Sequence, residues 1–354
     1  MFLDINELLK IAVEKKASDV HITVGRAPVL RINGKFEEVG SDKLTGEDTL
    51  QYARQCLDDE QFDRFKRTGD VDCSVSIANL ARFRVNAYRQ RGSSAVAIRV
   101  LSSRIPTIDE LELPQTLKKL CTIKEGMVLV TGPTGSGKST TLAAMINEIN
   151  MNRSCHILTL EDPIEYLHRH NVSIVNQREM GHDSESYHTA LRAALREDPD
   201  VILIGEMRDL ETISIAITAA ETGHLVLSTL HTLGSAKTVD RLIDVFPPHQ
   251  QQQIRVQVSM ALKAVISQRL IPDITGTART AAIELMLVTP AISNLIREGK
   301  TSSMNTTIQT SGALGMQLLD KNIADLCKAG KISRDDALAY GADRDVVQRF
   351  LGML

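Results

Sequence analysis

Residues 132–139, Gly-Pro-Thr-Gly-Ser-Gly-Lys-Ser, have the types and spacing of a phosphate-binding loop. Glycines at 132, 135 and 137 allow a tight turn and let the backbone approach an anion with no Cβ in the way. The amides of such a loop, with the N-terminus of the helix it opens, converge on the β- and γ-phosphates of a nucleotide. Lys138 would reach the terminal phosphates and Ser139 would offer its hydroxyl to Mg²⁺. Pro133, Thr134, Ser136 and Thr140 complete the cradle. The expected ligands are ATP and Mg²⁺.

Hydrolysis of a γ-phosphate also needs a carboxylate near the metal and a group that orients the attacking water. Candidates follow three short apolar runs. Glu161, Asp162 and Glu165 come after 156–160, Glu206, Arg208 and Asp209 come after 201–204, and His224 and His231 flank 225–229. Glu206 has the place of the metal-side carboxylate, where most phosphate-loop enzymes carry Asp. Glu161 is the better general-base candidate, with Glu165 behind it, although spacing does not decide between the carboxylates. Any one of them serves equally well as a helix cap or a loop charge, and only their joint placement points to catalysis. His224 and His231 bracket one strand, so both cannot contact the same phosphate. One would sense the γ-phosphate and the other a neighbouring element or subunit.

Arg82, Arg84, Arg89, Arg91 and Arg99 cluster in the first hundred residues, and alternation puts Arg82 and Arg84 on one strand face. They read either as a solvated basic face or as arginine fingers entering a nucleotide site. Arg192 and Arg196 form another basic helix face, better suited to acidic neighbours or a subunit interface than to nucleotide.

These residues need elements to hold them. From about residue 115, apolar runs at 127–131, 156–160, 201–204 and 225–229 alternate with helical stretches at 138–150, 187–196 and 210–222. That pattern predicts a doubly wound α/β sheet, whose ligands sit at the carboxyl ends of its strands. Beyond 250 the chain reads as mostly helical, with one helix opened by Thr289-Pro290 and closed by Gly299, and another capped by Ser333 and Asp336. Earlier, a helix at 4–16, a strand at 19–24, two strands over 29–39 joined by Asn33-Gly34, a helix at 46–57 and strands at 71–77, 81–91 and 95–101 make a small α+β domain. The expected organisation is an N-terminal domain over 1–101, a linker over 102–114, and a second domain over 115–354 whose C-terminal region is helical from about 289.

Composition narrows the class. In 354 residues, 41 basic and 44 acidic side chains leave a net charge of −3, too weak a field for nucleic acid as the main partner. The five cysteines are far apart and form no CxxC pair, so they read as reduced thiols rather than zinc ligands or disulfides. The N-terminus lacks the pattern of a signal peptide, and no apolar run approaches the ~20 residues of a membrane span. A soluble cytoplasmic protein is expected, one still able to dock on a membrane complex.

The chain resembles the secretion ATPase superfamily, and within it the type IV pilus retraction ATPases. The resemblance is carried by Ala-Ser-Asp-Val-His-Ile at 17–22, Arg-Phe-Arg-Val-Asn at 82–86, the loop at 132–139 and Thr-Leu-Glu-Asp-Pro-Ile-Glu at 159–165. It continues through 190–200, Gly-Glu-Met-Arg-Asp at 205–209, 223–232, 315–320 and 330–333. It implies a PAS-like N-terminal domain joined to a RecA-like P-loop ATPase domain, assembled as a ring-shaped homohexamer. It implies an Asp box (Glu161, Asp162, Glu165), a Walker B carboxylate (Glu206) and a His box (His224, His231). Arginines of the N-terminal domain, here Arg82, Arg84 and Arg99, would complete a nucleotide site. ATP turnover would turn the ring against an inner-membrane platform protein, with the chain docked at the inner face of the cytoplasmic membrane. Pilin would leave the fibre base, the pilus would retract, and the cell would twitch forward. Assembly relatives usually carry an extra N-terminal domain and a four-cysteine zinc site, and the chain has room for neither. The retraction family's Ala-Ile-Arg-Asn-Leu-Ile-Arg-Glu stands here at 291–298, with Ser293 in place of an arginine.

Other classes fit less well. A small-molecule phosphotransferase needs a lid and an acceptor pocket, and 138–232 offers neither. A nucleotide-gated scaffold would not need Lys138, Glu161 and Glu206 intact. Seven Phe, five Tyr and no Trp give a DNA translocase little to stack on.

Overall fold

Apolar residues at 5, 8, 9 and 12 make one buried stripe of the first helix, α1 (Ile5–Glu14), which starts where Asp4 accepts the Asn6 amide. The computed structural model describes residues 3–32, 34–77, 80–101 and 104–352. By its contacts the chain divides into two compact units, Met1–Arg104 with Glu165–Leu167, and Ile105–Ile164 with His168–Leu354.

The first unit continues through β1 (Asp19–Ile22), β2 (Val29–Ile32), β3 (Lys35–Glu38), α2 (Gly46–Cys56), α3 (Asp59–Thr68), β4 (Asp70–Ile77), β5 (Ala81–Gln90) and β6 (Ser93–Leu101). Its six strands form one antiparallel sheet in the order β3-β2-β1-β6-β5-β4. Asn33, expected in the turn between β2 and β3, lies outside the described residues. Helix α3 is an addition to the expected elements. It is bracketed by an Asp58/Gln61 capping box and by Gly69 in the left-handed conformation, with φ of 80°. Alternation on β5 works as expected: Phe83, Val85 and Ala87 are buried with Leu8, Leu9, Tyr52 and Phe65, while Arg84 stays exposed.

The second unit begins before the expected boundary. Ile108 and Leu113 are fully buried in its core beside Leu117, so the chain after residue 104 packs as structure rather than as the linker expected over 102–114. Two apolar anchors outweigh the proline and turn-former signal there. The elements that follow are α4 (Thr116–Leu120), β7 (Gly126–Thr131), α5 (Lys138–Asn152), β8 (His156–Glu161), β9 (Ile174–Glu179), α6 (Tyr187–Ala194), β10 (Val201–Ile204), α7 (Leu210–Glu221) and β11 (Leu225–Leu230). Then come α8 (Ser235–Asp244), α9 (Pro248–Ala261), β12 (Leu262–Pro272), β13 (Arg279–Leu287), α10 (Pro290–Glu298), α11 (Met304–Thr310), α12 (Leu319–Lys328), α13 (Arg334–Tyr340) and α14 (Arg344–Leu351).

The sheet has seven strands in the order β13-β12-β7-β11-β10-β8-β9, all parallel except β13 at one edge. Successive residues of its central strands feed opposite cores. Met127, Leu129, Ile202 and Ile204 pack with α6 and α7 residues, while Val128, Val130, Val201 and Leu203 pack with α4 and α5 residues. This is the two-faced burial that makes parallel strands read as unbroken apolar runs.

Three strands depart from the sequence expectation. The stretch beyond 250 contains β12 and β13, so it is not mostly helical until residue 290. Residues 279–287 are rich in Ala, Leu, Met and Glu, all good helix formers, yet they pair along nine positions with β12. Sheet pairing and burial override local preference here. Strand β9, with four polar residues in six, has weak apolar character because it is the outer edge of the sheet.

Candidate active site

Strands β7, β11, β10 and β8 stand side by side with their carboxyl ends level. Thr131 pairs with Leu230, Ser228 with Ile204, and Ile204 with Leu160. The segments that leave these ends are therefore neighbours, in the order phosphate loop, His231, Glu206, Glu161. Four stretches separated in sequence by up to about a hundred residues meet along one edge, as ligand-binding segments of an open α/β sheet do.

The loop turns on glycine conformations that a side chain would resist. Gly132, Gly135 and Gly137 have φ of 144°, 75° and 88°. A Cβ on Gly132 would lie 2.2 Å from the Gln268 carbonyl oxygen. Gly137 is also the N-cap of α5 and has no side chain to satisfy its first amides, which leaves them to an anion. Lys138 Nζ donates to the carbonyls of Gly132 and Pro133 at 3.0 and 3.1 Å, folding its ammonium over the loop. Pro133, Thr134, Gly135 and Ser139 are exposed and Thr140 is half-buried. Ser136 is buried, and neither its hydroxyl nor that of Thr131 has a hydrogen-bond partner. Orphaned hydroxyls beside glycine amides at a helix start suit a phosphate.

Glu206 is held at both oxygens. Arg208 lies 2.5 Å from Oε1, and His231 Nε2 lies 3.3 Å from Oε2. The carboxylate beside it holds the Arg208 guanidinium still further above its ordinary range. Glu161 Oε1 accepts from Thr159 Oγ1 at 2.6 Å and from Gln177 Nε2 at 3.1 Å, so β9 helps aim it. The Tyr187 phenol fills the space over Gly205, 2.7 Å from where a Cβ would stand. Burial pushes this phenol up, and the charges of Asp162, Glu206 and Glu161 push it further. It stays neutral beside these carboxylates.

The structure separates other expected members. His224 precedes β11, and its carbonyl accepts the Gly126 amide at 3.0 Å, at the amino end of β7. A six-residue strand, roughly 20 Å at 3.3 Å per residue, lies between it and His231, so His224 does not join the edge that carries the loop. Its ring Nδ1 contacts the Ala219 carbonyl at 3.0 Å instead. Glu165 is exposed, in the short segment Glu165–Leu167 that groups by its contacts with the first unit.

In the first unit, Arg82 and Arg84 share the face opposite Phe83 and Val85. Arg82 donates to Ser76 Oγ at 3.1 Å, and Arg99 to Asp19 Oδ1 at 3.1 Å. Arg84 stands directly opposite Arg99 in the β5–β6 register. Tyr187, Gln177 and Gln268 were not singled out from sequence. Their signal is tertiary, since no motif spacing ties them to the loop.

A family model described as type II/IV secretion system protein matches residues 2–317. The chain belongs to the type II/IV secretion system protein family. It is similar to a type IV pilus retraction ATPase, PilT, of Pseudomonas aeruginosa, with 47% identity over 95% of this chain and 97% of the relative. It is also similar to a twitching motility protein of Neisseria gonorrhoeae, at 46% identity over 88% and 83% of the two chains. A crystal structure of the pilus retraction motor PilT with bound ADP superposes with a TM-score of 0.92 at 45% identity, covering 98% of this chain and 99% of that one. A type IV pilus assembly ATPase, PilB, of Myxococcus xanthus matches 75% of this chain but only 47% of its own length, at 35% identity. Within the secretion family, this chain therefore matches retraction members end to end and an assembly member in part.

Proposed function

We infer that this chain is the ATPase motor of type IV pilus retraction, spending ATP to withdraw pilin from the fibre base and so drive twitching. The observation that carries the reading is the near-complete match, in sequence and fold, to a retraction motor whose structure holds ADP. The glycine loop at the head of α5 supports it from within. Retraction is preferred to assembly because the retraction relative is matched over 97% of its length.

In this reading Lys138 and the amides of 135–140 take the phosphates, while Ser139 and Glu206 would hold Mg²⁺. When bound, Mg²⁺ would supply positive charge to offset the charge of the phosphates. Glu161, aimed by Thr159 and Gln177, takes the proton of the attacking water. His231 steadies Glu206 from the neighbouring strand end and senses the γ-phosphate. The chain works as a ring-shaped homohexamer. Arg82, Arg84 and Arg99 of its PAS-like N-terminal domain complete a nucleotide site, and the ring docks on the inner-membrane platform of the pilus machine. Asp19 already neutralises Arg99, whereas Arg84, exposed directly opposite it on β5, is the arginine of this face best placed to reach an anion.

The test is deletion of the gene, with surface pili and twitching scored, and complementation by wild-type and Lys138→Ala chains. Surplus pili that fail to retract, rescued only by the wild type, are the expected outcome. Bald cells would assign the chain to assembly instead.

A further inference from the structure

Gln268 lies on β12, far from the loop in sequence, and is 2% exposed. Thr131 pairs with Ser267, so Gln268 comes level with Gly132, the first residue of the loop. Both glycines that flank the turn press against it. A Cβ on Gly132 would meet its carbonyl oxygen at 2.2 Å, and one on Gly137 would meet its Nε2 at 2.7 Å. Its side chain makes two buried hydrogen bonds. Nε2 donates to the Ser136 carbonyl at 2.7 Å, and Oε1 accepts the Thr141 hydroxyl at 2.8 Å. The carbonyl demands a donor, so the amide has one orientation only, and Thr141 stabilises it from α5.

We propose that Gln268 is a positioning residue of the nucleotide site, aiming the Gly137 N–H at the phosphates. The reason is peptide geometry. In a planar trans peptide the C=O and the following N–H point in opposite directions. Drawing the Ser136 carbonyl back toward β12 therefore turns the Gly137 N–H the other way, out of the sheet and toward the mouth of the loop. A phosphate-binding amide held in advance costs no reorganisation when the anion arrives. Without the Gln268 donor the 136–137 peptide is free to flip, and the loop presents a carbonyl oxygen to the phosphates in place of a donor. The inference rests on the reading of 132–139 as the nucleotide site.

The test uses full-length chain, a fluorescent anthraniloyl-ATP with Mg²⁺ as the probe, and thermal melts to confirm folding of each variant. Gln268→Met keeps the shape and loses both hydrogen bonds, and its affinity is expected to fall about tenfold or more at every pH, raising KM more than it lowers kcat. Gln268→Glu carries the sharper signature. Ionised, it repels the Ser136 carbonyl and binds the probe weakly near pH 8. Protonated toward pH 6, its O–H donates to Ser136 while its C=O accepts from Thr141, so affinity recovers relative to wild type. A purely structural role would not move in this direction with acid. Folded Gln268→Met that binds as wild type, or folded Gln268→Glu whose pH profile parallels wild type, overturns the proposal. Where both variants fail to fold, Thr141→Val carries the test. A loss of a few fold supports the proposal, and wild-type affinity overturns it. If wild type itself does not bind the probe, the nucleotide-site reading fails, and this inference with it.

Discussion

Glu206 sits between two partners, the Arg208 guanidinium at 2.5 Å and the His231 ring at 3.3 Å, and that pairing separates its role from the loop's. Lys138 contributes charge to the phosphates in both the bound and the reacting state, so Lys138→Ala should lose nucleotide affinity and turnover together. Glu206→Gln keeps the shape and a hydrogen-bonding oxygen but loses the charge. It should bind ATP within a few fold of wild type while turnover falls by about 10²–10³, the scale of removing one preorganised polar group from a transition state. Probe binding and phosphate release, measured on the same preparations, distinguish the two. Equal loss of affinity in both variants would contradict the split. At this scale residue types were legible from sequence. Glycine before a helix and carboxylates after apolar runs have few other uses in that arrangement. What escaped were groups acting on those residues from other elements, such as Gln177 on Glu161 and Tyr187 over Gly205.

Elements explain a pH dependence that the reacting residues do not. His168 follows the segment carrying Glu161, and its amide donates to Gln177 Oε1, the same side chain that aims Glu161. Burial pushes the His168 ring down to about 4. The unfolded chain takes up this proton near 6.5 and the folded chain only near 4, so the stability from the neutral ring is fully present above pH 6.5. It is lost as pH falls through that window, by at most about 3 kcal/mol at 1.36 kcal/mol per pH unit, and less because the ring is only half-buried. Urea melts at pH 7 and pH 4.5 should show this decline, and His168→Gln should flatten it. An unchanged slope would remove His168 from the account. The same scale holds the largest misreading. Strands β12 and β13 lie in a stretch expected to be helical, and β12 carries Gln268 directly behind the loop. Local propensity favours helix over 279–287, but nine paired positions beside a buried neighbour decide otherwise.

For the whole molecule, the proposed ring makes a quantitative demand. If arginines from one copy complete the site of another, turnover per chain should rise with protein concentration until assembly saturates. Arg84→Ala should then reduce turnover by about 10³ or more, the usual scale of an arginine finger, while the variant still binds ATP and still assembles. Sizing by light scattering alongside phosphate release checks both. A monomeric chain with full activity would overturn the ring. Among the described residues no helix is long and apolar enough to cross a membrane.

The chain's sequence alone determined that a loop of the phosphate-binding type stands at 132–139, which strand and helix frame it, and which carboxylates are candidates to serve it. Those features depend on short-range geometry: a turn that only glycine makes, a helix start, an apolar run that must be buried. Only the tertiary structure decided which distant residues share the edge. Parallel register brought Glu161, Glu206 and His231 level with the loop and left His224 at the opposite end of its strand. It also placed β12 behind the loop, so that an amide more than a hundred residues away orients the peptide before Gly137. Register is set by how whole strands pair and bury their faces, and no local run of residues encodes that.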